Sequence, residues 1–111
     1  MALRIAVACD GLVVARYFVQ TTSFMIYSVE RGVIVGSNNL PALGQGVNQL
    51  AQLLKSLEID VLIVGRVDND MAATLRESGA ELITNAKDDP LLAAREYLSS
   101  MFCTVVDWRT E

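Results

Sequence analysis

The chain has no histidine, two cysteines and few aromatic residues, and each shortage removes a class of chemistry. Without imidazole there is no Ser-His-Asp or Cys-His nucleophile and no His-ligated metal. Cys9 and Cys103 lie far apart, with no second thiol at metal-ligand spacing. Neither a disulfide framework nor a zinc site is supported, and both cysteines read as apolar filler. No cluster of Lys or Arg offsets the excess of acid. Nine basic residues against 13 acidic ones leave a formal net charge of -4, which repels phosphate backbones and argues against nucleic acid as a partner. No apolar run approaches the roughly 20 residues that cross a bilayer. The opening MALRIAVACDG carries its Arg inside an apolar stretch, unlike a signal peptide, so no membrane partner and a cytoplasmic location are expected.

A length of 111 residues at 52% hydrophobic content suits one α/β domain with its own core. Leu3, Ile5, Val7 and Cys9 alternate with Arg4, Ala6 and Ala8, the period of a strand whose second face admits only small side chains, and Asp10-Gly11 turns the chain. Phe24 to Glu30 and Val33 to Ser37 flank Arg31-Gly32 and predict an antiparallel hairpin. SNNLPALGQG reads as irregular. Val47, Leu50, Ala51, Leu54 and Leu57 then recur at helical spacing. Ile59 to Val64 has the continuous apolar character of a central parallel strand. Asp68 or Asn69 caps a second helix striped by Met71, Ala72 and Leu75 and closed by Gly79. Ala80 to Thr84 is a further strand, and Asp89-Pro90 starts a third helix carrying Leu91, Ala94, Leu98 and Met101. The expected order is β-β-β-α-β-α-β-α, an α/β fold with a five-stranded mixed sheet and helices on its faces. The domain is expected over residues 1–102. Residues 103–111 form an extension in which Val105, Val106 and Trp108 add a strand or dock on a partner, so a homodimer or a protein partner is expected.

With RIAVACDG opening the chain, FMIYSVERG as the second strand and LAQLLKSLEIDVLIVG in the middle, the sequence resembles the dinitrogenase iron-molybdenum cofactor biosynthesis family. The resemblance runs from about Leu3 to Ser100, with RESGAELI fitting the family's helix end and strand. It implies a ribonuclease H-like motif and a nitrogenase accessory protein that carries iron-molybdenum cofactor or its precursors. In that family the connection before the second strand commonly reads Ser-x-His-Phe-Gly, and Tyr17 stands at the His position with Val19 at the Gly. Leu43-Gly44-Gln45-Gly46 replaces a His/Gly/Cys-rich stretch. Gly65-Arg66-Val67-Asp68-Asn69-Asp70 replaces a glycine-rich loop, keeping only Gly65. Iron-sulfur and molybdenum clusters favour thiolate and imidazole, so the implied carrier works without direct cluster ligation.

Candidate ligand-binding residues are therefore Tyr17, Phe18, Gly44, Gly46, Gly65 and Arg66. Tyr17 and Phe18 can stack on a planar ligand or fill a partner's pocket, or close the core instead. Arg66 offers a fork to a carboxylate or phosphate of a small ligand, or pairs with nearby Asp side chains. Asp10, Asp68 and Asp70 fall at the ends of strands that the family fold makes neighbours. Paired carboxylates there suit a divalent metal and a metal-dependent hydrolase; a turn, a helix cap and first-turn charge account for them as well. The accessory binding protein, more a non-catalytic carrier than an enzyme, is the first reading and the hydrolase the alternative.

Overall fold

The alternation that opens the chain sets the layers of the fold. In strand β1 (Ala2–Asp10), Ile5, Val7 and Cys9 are buried on one face and Ala6 and Ala8 on the other. The computed structural model describes residues 2–42 and 46–109. After β1 come β2 (Val13–Val14), a 3-10 turn at Phe18–Gln20, β3 (Ser23–Glu30), β4 (Val33–Pro41), α1 (Val47–Ser56), β5 (Val61–Ile63), α2 (Asn69–Arg76), β6 (Glu81–Ile83) and α3 (Pro90–Arg109). The sheet runs β4-β3-β1-β5-β6, with β2 paired to β1. The central strand β1 is antiparallel to β3 and parallel to β5, and β5 is parallel to β6.

Side-chain size is matched across the layers. Ala6 and Ala8 share a cluster with Phe24, Leu50 and Leu54 of α1, Leu62, and Leu75 of α2. On the opposite face the larger Ile5, Val7, Tyr27, Val61 and Ile63 meet Ala93, Ala94 and Leu98 of α3. Small residues thus face large ones on both sides, as close packing requires. Asp68 caps α2, its Oδ1 accepting the Met71 N–H at 2.8 Å, and Asp89 Oδ1 accepts the Leu91 N–H at 2.9 Å at the start of α3.

Three expectations need correction. The sheet has six strands rather than five, because Gly11, at φ 69°, and Leu12 form a two-residue turn that folds Val13 and Val14 back onto Asp10 and Cys9. Ser37 to Pro41 continue β4 instead of forming an irregular link; β4 is an edge strand, which tolerates Asn38, Asn39 and a terminal Pro because one side needs no backbone partner. Cys103 to Arg109 continue α3 rather than adding a strand. Among the described residues no helix is long and apolar enough to cross a membrane.

The exits of β2, β5 and β6 are tied together by backbone hydrogen bonds. Arg66 N–H donates to Arg16 O at 2.8 Å and Phe18 N–H to Arg66 O at 2.7 Å, making Tyr17 and Arg66 a parallel bridge. Asn85 N–H donates to Gly65 O and Ala86 N–H to Val64 O, both at 3.0 Å, while Val14 N–H donates to Asp88 O at 2.8 Å. Gly65 is buried at this seam. A Cβ there would collide with the Ala15 carbonyl oxygen and lie 2.6 Å from that of Arg16. The third helix is fastened to the far edge by Tyr97, whose hydroxyl donates to Glu81 Oε1 at 2.9 Å. Burial, then the Glu81 carboxylate and the charge of Asp60, push the Tyr97 phenol up to about 12.

Two predictions follow from these contacts. Gly65→Ala forces backbone to move and is expected to cost about 2–4 kcal/mol in urea unfolding. Gly46→Ala, where a Cβ meets nothing within 4 Å, should cost less than about 1 kcal/mol. Comparable losses at both positions would refute the packing account. For Tyr97, a folded-state pKa above the ordinary tyrosine value of 10.0 favours the protonated fold. That stabilisation is complete below pH 10 and is lost as pH rises towards 12, so Tyr97→Phe should show a shallower decline of stability across this window than the parent chain. Parallel curves would remove the assignment.

Candidate functional site

The segment YFVQTTSF is held from both ends. Phe18 is buried and tilts against Phe24, with ring centroids 6.3 Å apart at 46°. Thr21 Oγ1 donates to Phe18 O at 2.6 Å, and Thr22 Oγ1 accepts from Gly11 N–H at 3.2 Å, so these hydroxyls shape the connection. Tyr17 differs from its neighbours. Its backbone is extended and bridged to Arg66, but its side chain is 39% exposed, and the Arg16 guanidinium lies 5.7 Å from its ring centroid.

Tyr17, Phe18 and Arg66 are brought together. With Val19, Asp68 and Met71 they border a hollow of about 310 Å³ at the carboxyl end of β5. Arg66 also borders a neighbouring hollow of about 370 Å³ with Asn69, Arg76, Thr84 and Asn85. The arrangement offers an aromatic face, an apolar wall and guanidinium donors, which suits a ligand with both a flat or apolar surface and negative charge. Arg76, Thr84 and Asn85 escaped the sequence reading because they belong to a helix's last turn and a strand's end. The signal that would have found them is that parallel strands deliver their exits to one edge.

The other candidates are placed elsewhere or act differently. Gly65 is at the edge, but its α-carbon is covered by the carbonyls of Ala15 and Arg16 and does not form an open cradle. Gly46 sits at the start of α1, its N–H donating to Gln49 Oε1 at 3.0 Å, away from the hollows bordered by Arg66. Gly44 lies outside the described residues. Asp10 ends β1 in the tight turn to β2, Asp68 is engaged as the cap of α2, and Asp70 is in that helix's first turn. Among the described residues no three His, Cys, Asp or Glu side chains are grouped to hold a metal ion, so the structure does not assemble the three carboxylates as a centre. Cys9 is buried, and desolvation outweighs a backbone hydrogen bond from Met25 to push its thiol above the ordinary range, which disfavours the thiolate a metal would need.

Solved structures share this architecture. The protein PH0822 superimposes with a TM-score of 0.80 at 10% identity, over 88% of this chain and 90% of that one. The Methanocaldococcus jannaschii protein MJ0327, provisionally named a dinitrogenase, gives 0.74 at 9% identity over 90% and 91%. The apo form of the orange protein from Desulfovibrio gigas gives 0.70 at 21% identity over 87% and 88%. At these identities the likeness concerns the fold alone. No curated protein matches the sequence significantly. The family model described as dinitrogenase iron-molybdenum cofactor matches residues 1–100, and the chain belongs to that family.

Proposed function

We propose that the protein is a non-catalytic accessory protein of nitrogenase assembly that holds iron-molybdenum cofactor, or a precursor of it, by charge and surface contact. The observation that carries the reading is the gathering of Tyr17, Phe18 and Arg66 around one hollow at the carboxyl edge of the sheet. The donor set decides the manner of binding. The chain has no imidazole and Cys9 is buried, so soft ligation of the cluster does not fit the described residues. Arg66 and Arg76 can instead face an anionic cluster, with the Tyr17 ring against its surface. The hydrolase alternative draws no support from the separate engagements of Asp10, Asp68 and Asp70.

The ribonuclease H-like description belongs to the same reading. It is supported by the order β4-β3-β1-β5-β6, in which an antiparallel hairpin flanks one side of β1 and parallel strands the other. Association with a second copy or a protein partner is proposed through the end of α3, where Val105, Val106 and Trp108 lie on helical backbone.

Anaerobic titration with isolated iron-molybdenum cofactor should give a chromophore that travels with the protein through gel filtration. Arg66→Ala is expected to weaken retention about tenfold or more, the scale of a charge-assisted contact. A colourless protein fraction would overturn the carrier reading. For association, sedimentation should show a mass that rises with concentration and falls back in Trp108→Ala; a monomer at all concentrations would reject it.

A further inference from the structure

A hollow larger than the one beside Tyr17, and richer in cations, lies along the same sheet edge. About 590 Å³ of space is bordered by Val14, Arg16, Arg66, Asn85, Lys87 and Asp88. We propose that this hollow is a second binding site, for a phosphate-type oxyanion, either free or as the terminus of a small molecule.

Its position comes from the topology. The exit of β5 leads to α2, whose Leu75 packs on one face of the sheet, whereas the exit of β6 leads to α3, whose Ala94 packs on the other. Strand exits that diverge to opposite faces leave a crevice at the carboxyl edge, where open α/β sheets take ligands. Residues from both exits border the hollow, Arg66 after β5 and Asn85 to Asp88 after β6.

The charge there is opposite to that of the protein. Three cations, Arg16, Arg66 and Lys87, face a single carboxylate, Asp88, in a chain whose formal net charge is -4. Two of the cations are guanidinium forks suited to the oxygens of a tetrahedral anion, Lys87 adds a point charge, and Asn85 adds carboxamide donors. The volume falls within the range of small-molecule pockets and exceeds what a bare oxyanion occupies, leaving space for an organic group beyond it.

The walls are also set before any ligand arrives. Asn85 and Asp88 hold φ values of 65° and 69°, a left-handed conformation that Asn and Asp adopt more readily than other L residues. The hydrogen bonds from Asn85 N–H, Ala86 N–H and Val14 N–H to neighbouring strand exits keep them there. A loop already fixed loses little entropy on binding. Arg66 borders this hollow and both hollows of the carrier reading, and Asn85 borders one of those two, so the sites adjoin, whereas Lys87 belongs to this one alone.

Isothermal titration of the full chain with inorganic phosphate and with adenosine monophosphate tests the site. Saturable binding of one equivalent is expected, weakening as salt is raised. Arg16→Ala and Lys87→Ala should each reduce affinity about tenfold, Lys87→Arg should retain most of it, and Lys55→Ala, which removes an equal charge from α1, should leave it unchanged. Both Arg16 and Lys87 are exposed, so their truncation leaves the core intact. Tighter binding of the nucleotide identifies an organic ligand, and equal binding identifies the inorganic anion. Absence of saturable binding by both probes, or an equal loss in Lys55→Ala, would overturn the proposal. The Lys87 variants separate this test from the cofactor titration, because Lys87 borders neither hollow proposed for the cluster.

Discussion

The carboxyl edge of this sheet depends on a backbone packed against an α-carbon. The carbonyls of Ala15 and Arg16 come so close to Gly65 that no side chain fits between them. That approach permits the Tyr17–Arg66 bridge, which fixes where the chain leaves β2 and where it leaves β5. Gly65 in turn accepts the Asn85 N–H, so the exit of β6 is located by the same residue. Three segments distant in sequence are thereby placed in a common frame, and every hollow bordered by Arg66 inherits its shape from it.

Much of this frame was legible in the amino-acid order, for reasons that differ from element to element. The large and small faces of β1 were readable because both are buried and a period of two survives in the side chains. Arg31-Gly32 was readable as a turn because its positive φ angles, 54° and 78°, suit a hairpin with Gly at its second position. By contrast, β2 is too short to carry a period. The far end of β4 is an edge with little burial, so its residues are free to look like a loop. Val105, Val106 and Trp108 favour strands by type, yet no Gly or Pro interrupts the chain after Pro90, and the helix propagates.

Of the candidates that the sequence offers, Tyr17, Phe18 and Arg66 border one hollow, where chemistry and location coincide. The site was obscure where they separate. Gly65 suggested an open approach for a ligand, whereas its missing side chain serves the protein's own backbone. Arg16 and Lys87 are ordinary loop cations in the sequence, and only the sheet order brings them to one crevice. Asp10, Asp68 and Asp70 show the reverse case: attractive chemistry in the sequence, each residue already occupied by a local structural task or held apart from the others.

The Tyr17–Arg66 bridge is made by main chain, and this divides the labour at the edge. Position is supplied by peptide groups that every residue except proline possesses, while the exposed ring of Tyr17 contributes nothing to the two hydrogen bonds that hold it. A phenol, an imidazole or a thiol could occupy the same place on the same scaffold. The side chain displayed at this edge is consequently a separable variable of the fold, carried on a fixed mount, and architecture and surface chemistry can change independently.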